Sequence, residues 1–296
     1  MFVTNTFGTA QSNYSDFNFV AAGDFGCSKN ANRTITNMLV KKPEVVIALG
    51  DLSYQKSADC WFDVVSPLDI GGRLKIAIGD NEMFPGKFGI YMKHFNMENP
   101  FYSFDYQNVH FLSMATAKNK VIPYDKTSGQ YEFVKDDLKR AHENKSINWI
   151  IVYSFRTFYS SNTTHPGLDE LQDLYHPLFD KYGVDIVLQA HNHNYQRTFP
   201  INYNNIRSFT PIITDRNTGK YSNDPKGPIF ITAGTGGEDL YNFTGQAPYV
   251  ITQFMRHGFL NIDITNGNNT TELNGAFYEN RNMSDKDHLR ITKKLS

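Results

Sequence analysis

The chain has 296 residues, 40% of them hydrophobic and including 23 Phe and 17 Tyr, enough to build one large core or two small ones. Its 29 basic and 30 acidic residues leave a formal charge of −1 and form no basic block, so nucleic acid is not the expected partner. No run approaches a membrane span, and Met1 to Asp16 lack a basic segment followed by an apolar one; neither a transmembrane helix nor a signal peptide is expected, and the compartment stays open.

Residues 1–16 are polar and read as a peripheral segment, with a single domain over 17–296. Phe17 to Ala22 is the first predicted strand and ends in Gly23-Asp24-Phe25-Gly26. A helix is expected over about 31–41, with Ile35, Met38 and Leu39 on one face and Pro43 closing it. The second strand, Val45 to Leu49, ends in Gly50-Asp51-Leu52-Ser53-Tyr54, and the third, Leu74 to Ile78, in Gly79-Asp80-Asn81-Glu82. Strand, crossover and strand, each closed by glycine and a carboxylate, imply a parallel core with right-handed crossovers. The pattern turns hairpin-like at 101–114. Thr127-Ser128-Gly129-Gln130 resembles a capping box and opens a helix to about Glu143. Trp149 to Tyr153 is a further buried strand ending in Ser154-Phe155-Arg156, and a helix from Asp169 to about Tyr182 leads into a strand at Val184 to Leu188. A polar stretch at roughly 200–225 is too long for a plain connector. Ile229 to Thr232 ends in Ala233-Gly234-Thr235-Gly236-Gly237, and the tail carries strands at 258–264 and 275–278 with a turn at Asn266-Gly267.

The run Ala190-His191-Asn192-His193 follows the strand at 184–188. Two histidines spaced i and i+2 in extended chain point the same way and begin a transition-metal site. On its own, His-x-His is equally compatible with two surface histidines. Asp24, Asp51 and Asp80 leave other strands at the same edge, where open α/β sheets bind ligands. A lone aspartate there is most simply a turn residue or a helix cap. Three of them beside two imidazoles repel, or are badly desolvated, unless cations are present. A pair of metal ions bridged by one aspartate resolves the conflict, and Tyr54 can add a phenolate suited to ferric iron. Cys27 and Cys60 each follow one of these motifs; a disulfide and a pair of buried free thiols are both open.

In order and spacing these motifs resemble those of the calcineurin-like metallophosphoesterases, most closely the purple acid phosphatases: Asp-x-Gly, Gly-Asp-x-x-Tyr, Gly-Asn-His-Glu/Asp, Val-x-x-His and Gly-His-x-His. The matching stretches are Asp24-Phe25-Gly26, Gly50 to Tyr54, Gly79 to Glu82, Val152-Tyr153-Ser154-Phe155 and Ala190 to His193, within about residues 17–200. The resemblance implies an α/β fold of two packed mixed β-sheets flanked by helices, in the short form without an N-terminal β-sandwich. It implies a first metal ion, iron, on Asp24, Asp51, Tyr54 and His193. A second ion of zinc, manganese or iron would be bridged by Asp51 and use His191. There, however, the family's Asn is Asp80 and its Val-x-x-His histidine is Phe155, so that ion is expected to bind weakly or not at all. The family's catalytic histidine is Asn81 here, and His165 lies in the loop where the family carries substrate-contact histidines. Asp51, Asn81 and His165 are therefore the expected catalytic positions. The implied activity is hydrolysis of a small-molecule phosphomonoester, slower than in an intact relative; the alternative is a catalytically silent relative that binds metal or phosphate.

Overall fold

Strands that are apolar on both faces need a sheet covered on both sides, and the two sheets of this chain are covered in that way. The computed structural model describes residues 14–117, 121–222 and 225–295. In the first sheet, β1 (Phe17–Ala22), β2 (Val45–Ala48) and β3 (Leu74–Ile76) run parallel. On its other side β1 pairs antiparallel with β13 (Gly258–Asn266), followed by β14 (Thr270–Glu279), β15 (Asp285–Lys294) and the edge strand β10 (Lys220–Tyr221). In the second sheet, β4 (Tyr102–Tyr106) and β5 (Val109–Met114) form a hairpin. From there β5, β6 (Trp149–Ser154), β7 (Ile186–Gln189) and β11 (Ile229–Ala233) run parallel. Antiparallel β8 (Tyr195–Asn202) and β12 (Val250–Phe254) complete it.

The inner faces share one core. Phe19, Ile47 and Ile262 from the first sheet meet Phe111, Ile151, Leu188 and Ile231 from the second, all fully buried. The rings of Phe19 and Phe111 cross edge to face at 5.1 Å. Three helices, α1 (Lys29–Val40), α2 (Asp59–Val65) and α3 (Phe88–His94), bury Met38, Trp61 and Tyr91 against the outer face of the first sheet. Two more, α4 (Gly129–Glu143) and α5 (Asp169–Tyr182), cover the outer face of the second with Leu138, Tyr175 and Phe179. This helix, sheet, sheet, helix order is the α/β architecture that the strand-end series implied, and it leaves the carboxyl ends of β1, β2, β3, β6 and β7 on one edge. At that edge the sheets are stitched together: Gly23 N donates to Ala233 O at 2.8 Å and Gly236 N to Gly23 O at 2.8 Å.

Several local expectations change. Helix α1 begins earlier than its apolar face because Ser28 caps it, its Oγ accepting from Asn30 N and Ala31 N. The capping box at 127–130 is not made: Ser128 is the cap, accepting from Tyr131 N at 3.1 Å, which moves Gln130 out of the reciprocal position. The Gln130 amide instead pairs with both backbone groups of Ala115. The polar stretch after Arg197 is partly sheet, since β8 continues to Asn202, pairs with β9 (Ile212–Ile213), and β10 follows. Strand β15 carries too many polar residues to show a period, and β12 is only five residues long. Cys27 and Cys60 form a disulfide, with Cα atoms 6.0 Å apart, tying the loop before α1 to α2. The expected peripheral segment lies outside the described residues for 1–13; Asp16 is fastened to the core by the Asn266 N–H, which donates to its Oδ1. Among the described residues no helix is long and apolar enough to cross a membrane.

Candidate functional site

The backbone at the strand ends is bent hard. Asp24, Asp51 and His191 all take left-handed conformations, with φ of 56°, 48° and 68°. A non-glycine residue held there is strained by roughly 1–2 kcal/mol, and such strain clusters at functional sites. The neighbouring loops hold it in place: Asp24 N donates to Gly50 O, Phe25 N to Asp51 O and His191 N to Asp24 Oδ2 at 2.9 Å. The extended backbone expected for His-x-His is not found. His191 to Asn194 is bent, with His191 at a positive φ, and the two rings pack on different partners, His191 on His165 and His193 on Tyr241.

In the first corner three donor atoms converge. The Tyr54 hydroxyl donates to Asp24 Oδ1 at 3.0 Å and lies 2.9 Å from His193 Nε2, which is itself 3.3 Å from Asp24 Oδ1. His193 Nδ1 donates to the Asp239 carbonyl at 2.8 Å, which aims Nε2 into the corner. Asp24 is fully buried. Burial opposes charge on His193, but the adjacent Asp24 carboxylate outweighs it and raises the imidazole above its ordinary value. Burial first, then Asp24 and Asp51, push the Tyr54 phenol far up. The field that keeps protons on Tyr54 and His193 is the field that draws a metal cation. Among the described residues no three His, Cys, Asp or Glu side chains gather as a metal-binding group; the third member of this trio is a tyrosine. Two oxygens and an imidazole nitrogen fit one ion of the kind that accepts mixed oxygen and nitrogen ligands.

Asp51 stands between the corners. Its Oδ1 accepts from Asn81 N and its Oδ2 from Asn81 Nδ2, both at 2.7 Å. Beneath it, fully buried Glu82 accepts from Asp51 N, Gly79 N and Leu52 N at 2.8–2.9 Å. Burial pushes the Glu82 carboxyl up to about 7, against the pull of those N–H groups. Burial first, then Glu82 and Asp24, raise Asp51 well above the ordinary carboxylate range. Gly79 is required where it stands: a Cβ there would lie 2.3 Å from Asp51 N and 2.5 Å from Asp51 Oδ1.

The second corner is of another kind. The His191 ring stacks on His165 at 3.8 Å, and the buried Phe155 ring meets His191 edge-on at 4.8 Å. Asp80 is held by Arg156, whose Nη2 donates to Asp80 Oδ2 at 2.7 Å. A phenyl ring offers no ligand atom, and Asp80 already faces a cation, so these residues fit a second metal ion poorly. His165 is fastened to the histidine loop through Asn192, whose Oδ1 accepts from His165 N and whose Nδ2 donates to His165 O. Both corners open into a cleft of about 550 Å³, lined among others by Asp51, Tyr54, Asp80, Asn81, His165 and Tyr241.

Asp24, Tyr54 and His193 are thus brought together, with Asp51 near them, while Asp80 and His191 are drawn toward other partners. The sequence reading did not single out Tyr241 or Arg156. The Tyr241 ring stacks on His193 at 4.0 Å, and its phenol is pushed up to about 12 by burial and then by Asp24. It sits in an irregular loop far along the chain and had no motif to mark it. Arg156 did have a signal, since it directly follows the position where Phe155 replaces histidine.

Residues 17–195, more than half of the chain, match the model of the calcineurin-like phosphoesterase family. Purple acid phosphatase 23 of Arabidopsis thaliana is 26% identical over 256 residues, covering 73% of this chain and 51% of that protein. The chain spans about half the length of the first curated relatives it matches. Among solved structures, the yellow lupin (Lupinus luteus) purple acid phosphatase PPD1 superposes with a TM-score of 0.73 at 22% identity, over 95% of this chain and 55% of that one. Plasmodium GAP50, described as the anchor in the inner membrane complex, superposes with a TM-score of 0.68 at 15% identity, over 95% and 90% of the two chains. At those identities the structural likeness shows the fold alone.

Proposed function

The chain belongs to the calcineurin-like phosphoesterase family, and on that premise we propose that it is a metal-dependent phosphomonoester hydrolase working with one firmly held ion. The convergence of Asp24 Oδ1, Tyr54 OH and His193 Nε2 within 3.3 Å of one another carries this reading. In it, Asp24, Asp51, Tyr54 and His193 hold the ion, which is iron because a buried phenolate and carboxylates favour a hard trivalent cation. Such an ion supplies Lewis acidity to a phosphoryl oxygen. Asn81 orients Asp51 through its two hydrogen bonds. His165 and Tyr241 line the cleft opposite and donate to substrate oxygens. Where the family carries a catalytic imidazole this chain carries an amide that is spent on Asp51, and loss of a general acid lowers turnover by about 10²- to 10⁴-fold. Any second ion, of zinc, manganese or iron, is held weakly through Asp51, Asp80 and His191.

The test is elemental analysis beside hydrolysis of p-nitrophenyl phosphate. The expected result is slow hydrolysis and a bound ion, both lost in His193→Ala. Protein purified without chelators that holds no metal and takes up no iron, zinc or manganese would sink the reading. A second reading, a silent relative that binds phosphate, is favoured by the Asp80–Arg156 pair and by Phe155 in the second corner. Under this reading the chain is a binding protein. Phosphate binding by calorimetry with no turnover above a metal-free blank would select it.

A further inference from the structure

We propose that the Arg156 guanidinium is a built-in replacement for the second metal ion, supplied by the chain itself at the end of β6. This rests on the one-ion reading above and deepens it: the second corner is closed to a metal by an internal cation, beyond the loss of a ligand.

Four observations meet here. The ion pair is short, with Arg156 Nη2 2.7 Å from Asp80 Oδ2, and mostly screened from solvent, the two side chains being 15% and 23% exposed. Its place is set by the backbone: Arg156 N donates to Thr116 Oγ1 at 3.0 Å, and β6 delivers Phe155 and Arg156 as consecutive residues to the corner that Asp80 and His191 line. Phe155 packs as tightly as its neighbours allow, since a Cβ on Gly50 would lie 2.9 Å from its ring. Finally, the guanidinium is not fully spent. Its Nε is buried with no hydrogen-bond partner among the described residues, the mark of a group placed for charge more than for a full set of hydrogen bonds.

The chemistry is charge for charge. An aspartate at position 80 carries a negative charge that an asparagine would not. Holding that charge, mostly screened from solvent, in a cleft that Asp51 also lines favours a nearby cation. A guanidinium is always charged, is weakly hydrated and pairs with carboxylates in a fixed plane, so it meets the requirement with no metal. A divalent ion brought to Asp80 would then face a fixed positive charge across one carboxylate, which disfavours it by simple repulsion. Restoring the missing imidazole alone therefore does not restore the ion.

The experiment titrates zinc or manganese into the full chain and counts bound ions by elemental analysis after desalting, for wild type, Phe155→His, Arg156→Gln, Arg156→Lys and Phe155→His/Arg156→Gln. Wild type, Phe155→His and Arg156→Lys are expected to hold the same number of ions. The double variant is expected to hold one more, and Arg156→Gln to bind the added ion at least about tenfold more tightly than wild type. Because Arg156→Gln removes the ion pair to Asp80, Asp80→Asn/Arg156→Gln with Phe155→His is a second route, in which the charged pair becomes a neutral hydrogen-bonded one. Thermal melts confirm that each variant is folded. A gain of an ion in Phe155→His alone, or no gain in either combination that removes Arg156, would overturn the proposal. Wild type with no ion defeats the one-ion hydrolase reading instead, and the proposal is still judged by whether removing Arg156 adds an ion to that baseline.

Discussion

The two corners of the cleft answer the same electrostatic problem in different ways. Both gather carboxylates and imidazoles at the carboxyl ends of parallel strands, and in both the negative charge is partly buried. In the first, Asp24, Tyr54 and His193 point their donor atoms at one another and are held from behind, His193 by the Asp239 carbonyl and Asp24 by the His191 N–H. In the second, Asp80 turns to Arg156, and His191 lies between the rings of His165 and Phe155. In the proposed reading, one corner turns its donor atoms toward an external cation, while the other pairs its aspartate with an arginine of the chain. The backbone frame is shared, so the difference lies in a few side chains, and a fold alone does not tell how many ions it holds.

The largest effect that separates the corners is expected from ligand loss. His193→Ala should weaken retention of the first ion by about 10³-fold or more, beyond the roughly 10–100-fold that outer partners of metal ligands account for. Asp80→Asn should change that retention by less than about tenfold. Equal losses in a competition titration against a chelator would erase the distinction. The next effect concerns the scaffold. The Cys27–Cys60 bridge ties the loop after Asp24 to the helix after Tyr54 across 33 residues of chain. Replacing both cysteines by alanine should cost about 3–4 kcal/mol in denaturant unfolding, from the added freedom of the unfolded chain. It should also loosen the first corner more than the second, which metal titration of the variant reads.

A control far from the cleft follows from His110 on β5, buried between Asp105 and Asp137 at 2.6 and 2.8 Å, with Ser103 and Arg140 also bonded to Asp137. Burial opposes its charge, but Asp137 and then Asp105 outweigh that and hold His110 above its ordinary value. A raised folded-state value means its stabilisation is full below the unfolded value near ~6.5 and is lost as pH rises through the folded one. Burial also opposes charge on Asp137, but His110 outweighs it and holds the carboxyl low, so that contribution is present above about 3.9 and lost as pH falls through the folded value. His110→Ala should cost about 3 kcal/mol near pH 6 and flatten the loss of stability on the alkaline side. First-ion binding should not follow it. A variant as pH-sensitive as the wild type would contradict the assignment.

A smaller effect than that of His193→Ala is expected from Tyr54→Phe, which removes one oxygen and leaves Asp24, Asp51 and His193. Retention of the ion should fall about tenfold, within the range of a single supporting group. If the ion is ferric, a visible charge-transfer band should disappear while most of the metal stays bound. A band that survives the substitution would mean that Tyr54 is not a ligand.

How far the sequence reveals this site depends on how local each signal is. The strand-end carboxylates were legible because a buried parallel strand leaves an apolar run, and the glycine and aspartate closing it are adjacent in the chain. The parallel core followed from the crossovers between those strands. What escaped was non-local or conformational. The salt bridge between Asp80 and Arg156 joins two strand ends from different sheets, and neither residue alone implies the other. The bend at His191, which sets it on His165 while His193 stacks on Tyr241, goes with a positive φ that the spacing does not encode. Tyr241 reaches His193 from an irregular loop, and the disulfide became definite only once α2 lay beside the start of α1. The short strand β12 and the polar strand β15 lack a readable apolar period, which left them unseen.

The most direct measurement is the ion count of the wild-type chain, purified without chelators, saturated with iron and then with zinc or manganese, and desalted before elemental analysis. One tightly held ion per chain, displaced in His193→Ala and indifferent to Asp80→Asn, is the result predicted for a cleft with one open corner and one closed by Arg156. Two ions retained with comparable affinity would contradict it, because the second would have bound against a fixed guanidinium and without the imidazole that Phe155 displaces.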